Sequence, residues 1–175
     1  ASPRNARLGA LHSFFSYLQY RNVEGLSKWQ DILSVKTKKS PAPEMAYLQI
    51  EALRLLLHQP DLKTRKGRRD FVLLGLMYDS GCRVQELIDL TPSSLRFDET
   101  ATVRLHGKGD KTRIVPLSVT QVSNLKSYME EERLNLPENQ CRPLFPNPQG
   151  GTLSRMAVLN IVKKYVNKAK AISPD

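Results

Sequence analysis

An arginine at the end of the most apolar segment is the first residue that suggests chemistry. Arg83 follows the run "FVLLGLMY" (residues 71–78) within "YDSGCRVQELIDLTP". A buried guanidinium is costly unless its charge is compensated. Glu86 lies one helical turn later and could supply an ion pair. The alternative is a guanidinium that a rigid core points into a cleft, where it binds a phosphate through two hydrogen bonds. Arg83 by itself favours the ion pair.

A lysine between two glycines is the second such feature. In "LHGKGDKTRIVPL", Lys108 stands between Gly107 and Gly109 at the predicted tip of a β-hairpin. Glycine has no side-chain bulk and allows unusual backbone conformations, so this loop can approach another surface closely. Lys111 and Arg113 add positive charge. An ordinary exposed hairpin would also explain the glycines, but the pairing of this lysine with a core-anchored arginine favours phosphate contact.

The overall charge favours a polyanionic partner. Lys and Arg number 27 against 17 acidic residues, so the net charge is +10 and the pI is about 9.8. Nucleic acid is the usual partner of such a protein. The apolar run at residues 71–78 is much shorter than the ~18 residues of a membrane span, and no signal peptide is visible. We therefore predict a cytoplasmic protein without membrane contact. The cysteines and histidines show no metal-ligand spacing.

The hydrophobic patterns predict a mainly α fold with one small three-stranded antiparallel β-sheet, an α+β arrangement. Short β-type runs occur at "SLRF", "ATVRLH" and "TRIVPL". The charged run at residues 63–69 is predicted to be a solvated loop, with Asp70 opening the next helix. Apolar residues at helical spacing predict helices at 4–20, 45–58, 71–78, 84–90, 118–134 and 154–171, and a second short segment follows the first helix at about 29–35.

A stretch rich in lysine and proline, "VKTKKSPAP", divides the chain and has no periodicity. We predict that residues 1–35 are the end of one helical domain, 36–43 a linker, and 44–175 a second domain. The linker lysines are candidates for contact with DNA phosphates, together with Lys108, Lys111 and Arg113 of the hairpin: Lys36, Lys38 and Lys39.

Three segments in this order resemble the catalytic domain of the tyrosine recombinase (phage integrase) family. They are "GLMYDSGCRVQELIDLTPSSL", "VRLHGKGDKTRIVPLS" and "PLFPNPQGGTLSRMAVLNIVKKY". The resemblance begins near Pro43, and "RLGALHSFFSYL" resembles the last helix of the family's N-terminal core-binding domain. It implies that DNA strands are broken and rejoined through a 3′-phosphotyrosyl intermediate, without a metal or nucleotide cofactor. Double-stranded DNA is the implied partner, and the parent protein is expected to be a tetramer on DNA.

The resemblance gives roles to three residues. Arg83 would bind the non-bridging oxygens of the scissile phosphate, where a fixed guanidinium stabilises the negative charge of the transition state. Lys108 would protonate the departing 5′ oxygen as a general acid. Glu86 would support the helix of Arg83 without taking part in the chemistry. His106 matches no family role, and we expect it to be a solvent-facing strand residue.

The family's second group of catalytic residues has no counterpart in this sequence. That group is a His-x-x-Arg, a further His or Trp, and the nucleophilic tyrosine, all beyond the last predicted helix. No histidine follows His106. Tyr128 and Tyr165 fall at helical positions that packing explains better. We therefore expect a piece of a recombinase, truncated at both ends, monomeric in solution and unable to cleave DNA by itself.

Two other classes of function stay open on the sequence. A decayed integrase would bind DNA without cleaving it, as an accessory or regulatory protein, and its affinity would fall steeply with salt. A helical protein–protein adaptor with a basic surface is the weaker hypothesis. Failure to bind any duplex at low salt would favour the adaptor.

Overall fold

The structure is a computed structural model, and it describes four ranges of the chain. In the described residues, no helix combines the length and the apolarity that crossing a bilayer requires. The described ranges are 3–22, 24–39, 49–107 and 109–173.

The chain folds as two compact units, an N-terminal unit, Ala1–Tyr47, and a C-terminal unit, Leu48–Asp175. The described part of the predicted linker, residues 36–39, belongs to the N-terminal unit, and the remaining linker residues, 40–43, lie outside the described ranges.

Two helices form the described part of the N-terminal unit: α1, Pro3–Gln19, and α2, Leu26–Ser34. Phe15 of α1 stacks on Trp29 of α2, with ring centroids 5.2 Å apart. The Asn5 side chain donates to the Lys38 carbonyl oxygen at 2.8 Å and accepts from the Lys38 N–H at 3.1 Å. These contacts hold the segment after α2 against the start of α1.

The C-terminal unit is mainly helical and contains one three-stranded sheet, so the predicted fold class is confirmed. The predicted start of its first helix at Met45 lies outside the described residues. The elements, in chain order, are α3 (Ile50–Leu57), α4 (Arg65–Ser80), α5 (Val84–Ile88), β1 (Leu95–Arg96), β2 (Thr102–Gly107), β3 (Lys111–Pro116), α6 (Val119–Glu131) and α7 (Arg155–Ile172), with short 3₁₀ turns at Pro92–Ser94 and Pro137–Asn139.

The sheet has the order β1-β2-β3, and both strand pairs are antiparallel. Side chains alternate between the two faces of a strand. Val103 and Leu105 of β2 are fully buried and face the core, whereas Arg104 between them is exposed. Arg113 of β3 lies opposite Leu105. The register therefore places Arg113 on the core-facing side of the sheet.

Helix α4 is the centre of the core, as its apolar sequence predicts. Leu73 and Leu76 are completely buried, and they belong to one cluster with Leu125 of α6 and Tyr165 of α7. Gly81 ends the helix with a φ of +57°, the left-handed conformation that glycine adopts without a steric penalty. Arg83 follows two residues later, as the N-cap of α5.

The prediction of a solvated loop at residues 63–69 is wrong, because α4 begins at Arg65. The Thr64 hydroxyl caps the helix by accepting the Gly67 N–H at 3.0 Å. Such a cap satisfies one of the free N–H groups of the first turn. Two of the charges that suggested a loop are paired across the fold, since Arg65 bonds Glu132 and Arg68 bonds Glu131 at the end of α6.

Asp70 does not open a helix, as the sequence suggested, but lies inside α4 with no exposed surface. Arg69 donates to its Oδ1 at 2.7 Å from Nη2 and at 3.1 Å from Nε. The Tyr165 hydroxyl donates to its Oδ2 at 2.9 Å. A buried carboxylate is tolerated when both oxygens are bonded in this way, and the group joins α4 to α7.

Candidate active site

The turn between α4 and α5 places Arg83 on the surface. Cys82 and Leu87 on either side are buried, and Arg83 precedes α5 in an extended conformation. Its side chain is 70% exposed. The premise of a buried guanidinium is therefore wrong, because Arg83 is exposed although Cys82 and Leu87 around it are buried. Burial raises the pKa of the neighbouring Cys82 thiol, which favours the neutral, unreactive form.

Glu86 is the buried charged group of this site, with 3% of its surface exposed. Its Oε1 accepts from Arg83 Nη1 at 2.9 Å, and its Oε2 accepts from the Arg83 backbone N–H at 2.8 Å. The ion pair predicted from the i, i+3 spacing is confirmed. It holds Arg83 at the start of α5 by both its backbone and its side chain.

Arg113 makes the closest contacts with Glu86. Its Nη1 donates to Oε1 at 2.8 Å and its Nη2 to Oε2 at 2.7 Å, a bidentate arrangement. These bonds are the main cause that lowers the pKa of Glu86 to about 2, and the bonds from Arg83 add to the effect while burial opposes it. Glu86 in turn raises the pKa of Arg113. The sequence suggested Arg113 as a DNA contact and did not identify it as the partner of Glu86.

The end of β2 lies against this cluster. A Cβ added to Gly107 would be 3.1 Å from Glu86 Oε1 and 3.6 Å from Arg83 Nη1. The absence of a side chain therefore lets the hairpin approach the carboxylate. Gly109 has a φ of +78°, as a tight turn requires. Lys108 itself lies outside the described residues, but it directly follows the glycine that contacts the cluster.

The other predicted cationic residues have separate locations. Lys111 is exposed at the start of β3 in the C-terminal unit. His106 is exposed on β2, as expected, and its Nδ1 is 2.9 Å from the Thr112 hydroxyl. The linker lysines are exposed in the N-terminal unit: Lys36, Lys38 and Lys39.

Tyr128 and Tyr165 have packing roles, as their helical positions predict. The Tyr128 hydroxyl donates to the Leu144 carbonyl oxygen at 3.0 Å. The Tyr165 hydroxyl is bonded to Asp70, and its ring is 1% exposed. Burial is the main cause that raises the pKa of both phenols above their usual value. Neither hydroxyl is placed to attack a phosphate at the surface.

The cluster of Arg83, Glu86 and Arg113 carries two positive charges and one negative charge. Arg83 is the more exposed of the two guanidiniums, with 70% of its side chain accessible against 38% for Arg113, and it lies next to the hairpin. A guanidinium in this position can bind an anion through charge-assisted hydrogen bonds. In the ranges that the structure describes, no three His, Cys, Asp or Glu side chains lie close enough together to hold a metal ion.

A helical unit with a three-stranded sheet, whose hairpin lies against an exposed arginine, has the organisation of a tyrosine recombinase catalytic domain. Residues 46–174 match the model described as "Phage integrase family", and the chain belongs to that family.

Relatives of known name support the family assignment. The tyrosine recombinase XerD of Staphylococcus epidermidis (strain ATCC 35984) is 34% identical over 163 residues, which cover 91% of this chain and 55% of that protein. XerD of Chlorobaculum tepidum is 34% identical over 182 residues, covering 99% of this chain and 58% of that protein. The chain thus spans little more than half the length of these relatives.

Solved structures show the same fold. The XerA recombinase superposes with a TM-score of 0.60 at 22% identity, over 88% of this chain and 55% of XerA. The XerH site-specific recombinase, bound to difH substrate in a pre-cleavage complex, gives a TM-score of 0.60 at 26% identity. That match covers 78% of this chain and 39% of XerH.

Proposed function

We propose that this chain is part of a site-specific DNA recombinase and that Arg83 binds the scissile phosphate. The observation that carries the proposal is the geometry of Arg83. Its guanidinium is fixed by Glu86 through one nitrogen and is mostly exposed, in a cluster whose net charge is positive. Family membership adds support, because relatives of this chain are named as recombinases.

The proposed chemistry follows from charge. During strand cleavage, negative charge grows on the non-bridging oxygens of the phosphate, and a fixed guanidinium stabilises it without reorganisation. Lys108 is proposed to protonate the 5′ oxygen as it leaves. The attacking group is a tyrosine hydroxyl, which gives a 3′-phosphotyrosyl intermediate. Tyr128 and Tyr165 are buried and bonded elsewhere, so we propose that the chain as given binds DNA but does not cleave it.

Double-stranded DNA is the proposed partner. The XerH recombinase bound to its difH substrate supplies the precedent within a similar fold. In this chain the exposed Lys111 and the linker lysines Lys36, Lys38 and Lys39 are proposed to contact backbone phosphates, and Arg83 to contact the phosphate at the cleavage position. Such contacts release counterions, so affinity falls with salt.

The first experiment measures the affinity for a fluorescent 30-base-pair duplex at several salt concentrations, by anisotropy. We expect Arg83→Met to reduce the slope of log affinity against log salt by about 0.9, the value of one phosphate contact. Arg104→Met is the matched control, because it removes one exposed guanidinium from the other face of the hairpin. Equal slopes for wild type and Arg83→Met would overturn the role of Arg83.

A second experiment separates the catalytic and non-catalytic hypotheses. The chain is incubated with a nicked duplex that traps covalent intermediates, and adducts are sought by denaturing electrophoresis. We expect tight binding without an adduct. An adduct would overturn the proposed inactivity. Absence of duplex binding even at low salt would instead favour the protein–protein adaptor.

A further inference from the structure

Arg113 has a function of its own in this cluster, and the following rests on the proposed role of Arg83. We propose that Arg113 is a positioning residue. By donating to both oxygens of the Glu86 carboxylate, it prevents Arg83 from forming a bidentate pair with Glu86. Nε and Nη2 of Arg83 therefore remain available to a phosphate.

The two arginines share the carboxylate unequally. Arg113 donates two bonds, one to each oxygen, at 2.8 and 2.7 Å. Arg83 donates a single side-chain bond at 2.9 Å from Nη1. Among the described residues, Nε and Nη2 of Arg83 have no hydrogen-bond acceptor in the protein. These two nitrogens form an edge of the guanidinium that can bind a phosphate through two hydrogen bonds, and this edge therefore remains available.

The fold explains why Arg113, and not Arg83, forms the bidentate pair with Glu86. Its position opposite Leu105 directs its side chain to the core side of the sheet. The space between strand and carboxylate is open because Gly107 has no side chain. Arg113 is also the less exposed of the two arginines, with 38% of its side chain accessible against 70% for Arg83. Its bonds with Glu86 are therefore screened less by water.

Charge gives the consequence of removing Arg113. Glu86 would then hold one negative charge beside one guanidinium, and the best arrangement for that pair is bidentate. The guanidinium of Arg83 would turn towards Glu86 and form two hydrogen bonds with the carboxylate. The net charge of the cluster would also fall from +1 to zero. Both changes weaken phosphate binding at Arg83 without altering Arg83 itself.

This mechanism predicts a rescue that a structural role does not. In Arg113→Met, Arg83 is captured by Glu86. In the double variant Glu86→Gln with Arg113→Met, the negative charge of Glu86 is absent, so the guanidinium of Arg83 has no carboxylate to pair with and can bind phosphate. If Arg113 only stabilised the fold, the double variant would bind phosphate no better than the single variant.

The test follows Arg83 directly by NMR of its Nε–Hε group, during titration with inorganic phosphate and then with the 30-base-pair duplex. We expect Arg113→Met to bind the duplex about tenfold more weakly than wild type, with a salt slope lower by about 0.9. The double variant is expected to recover most of both losses. Arg104→Met is again the control for the loss of one charge on the hairpin. Circular dichroism establishes that each variant is folded.

The outcomes separate this inference from the function on which it rests. If Arg83 of the wild type responds to neither phosphate nor duplex, the proposed phosphate site fails. If the wild type responds and Arg113→Met responds equally, only the role of Arg113 is overturned. A double variant as weak as the single variant also overturns it. Should Arg113→Met not fold, Arg113→Lys keeps the charge but loses the bidentate geometry, and an affinity equal to wild type would contradict the proposal.

Discussion

Replacing Tyr165 by phenylalanine tests whether this tyrosine is a structural partner of Asp70. The substitution removes one oxygen and leaves the packed ring in place. Asp70 Oδ2 then loses the donor that lies 2.9 Å away, while Oδ1 keeps its two bonds from Arg69. Because Asp70 has no exposed surface, we expect that bulk water does not replace the missing donor. Part of a buried carboxylate is left unsatisfied.

The expected cost follows from that geometry. A hydrogen bond to a charged group contributes about 1.5–3 kcal/mol, and an unsatisfied buried acceptor costs a similar amount. The remaining ion pair with Arg69 partly neutralises the carboxylate. We therefore expect the free energy of unfolding of Tyr165→Phe to fall by about 2 kcal/mol, with duplex affinity unchanged because the hydroxyl lies in the core.

Urea unfolding followed by far-UV circular dichroism measures this difference. Tyr78→Phe is the matched control, since Tyr78 is 62% exposed at the end of the same α4 helix; its effect should stay within about 0.5 kcal/mol. Equal stabilities of the two variants would refute the structural assignment. Loss of a DNA adduct in Tyr165→Phe, where the wild type forms one, would show instead that Tyr165 is the nucleophile.

Two further predictions concern Glu86 and a glycine in α4. The pKa of Glu86 is lowered from 4.5 to about 2, so its stabilising effect is complete above pH 4.5 and is lost as the pH falls towards 2. Glu86→Gln should therefore be less stable than wild type at pH 7. Urea unfolding between pH 7 and 3 should show that the difference in unfolding free energy between the two proteins decreases as the pH falls. Gly75→Ala should destabilise by about 1–2 kcal/mol despite the better helix propensity of alanine, because its Cβ would lie 2.5 Å from Oε1 of Gln121, a buried side chain held by the bond from its Nε2 to the Val72 carbonyl oxygen at 3.0 Å. Thermal unfolding of this variant and of Gly9→Ala, where nothing lies within 4 Å, checks that steric cause.

Local patterns predicted the elements of the C-terminal unit, because the information lies within a few residues. The alternation of Val103 and Leu105 indicated the inner face of β2, and Gly81 indicated the end of α4. The prediction of a solvated loop at residues 63–69 was wrong for a different reason. Two of the three arginines in this segment, Arg65 and Arg68, are paired with Glu132 and Glu131, more than sixty residues away, and no local pattern shows such a pairing. The Thr64 cap was a signal that the abundance of charge obscured.

The site was predicted in part, and the missing part depends on strand register. The spacing of Arg83 and Glu86 indicated their ion pair. The bond between Glu86 and Arg113 spans 27 positions and exists because Arg113 lies opposite Leu105 in the hairpin. Counting along the hairpin from the buried leucine would have placed Arg113 on the core side. The position of Arg113 could therefore be predicted from the sequence, but only if the register of the hairpin was also predicted correctly.

The arginine at the end of an apolar segment follows from the way that segment ends. The core continues through Cys82 and Leu87, and the left-handed Gly81 turns Arg83 outward between them. The charge that must be buried is that of Glu86, and one carboxylate cannot neutralise two guanidiniums. A buried acid between two arginines therefore leaves the cluster with a net positive charge, and Arg83 is the arginine that is more exposed to solvent.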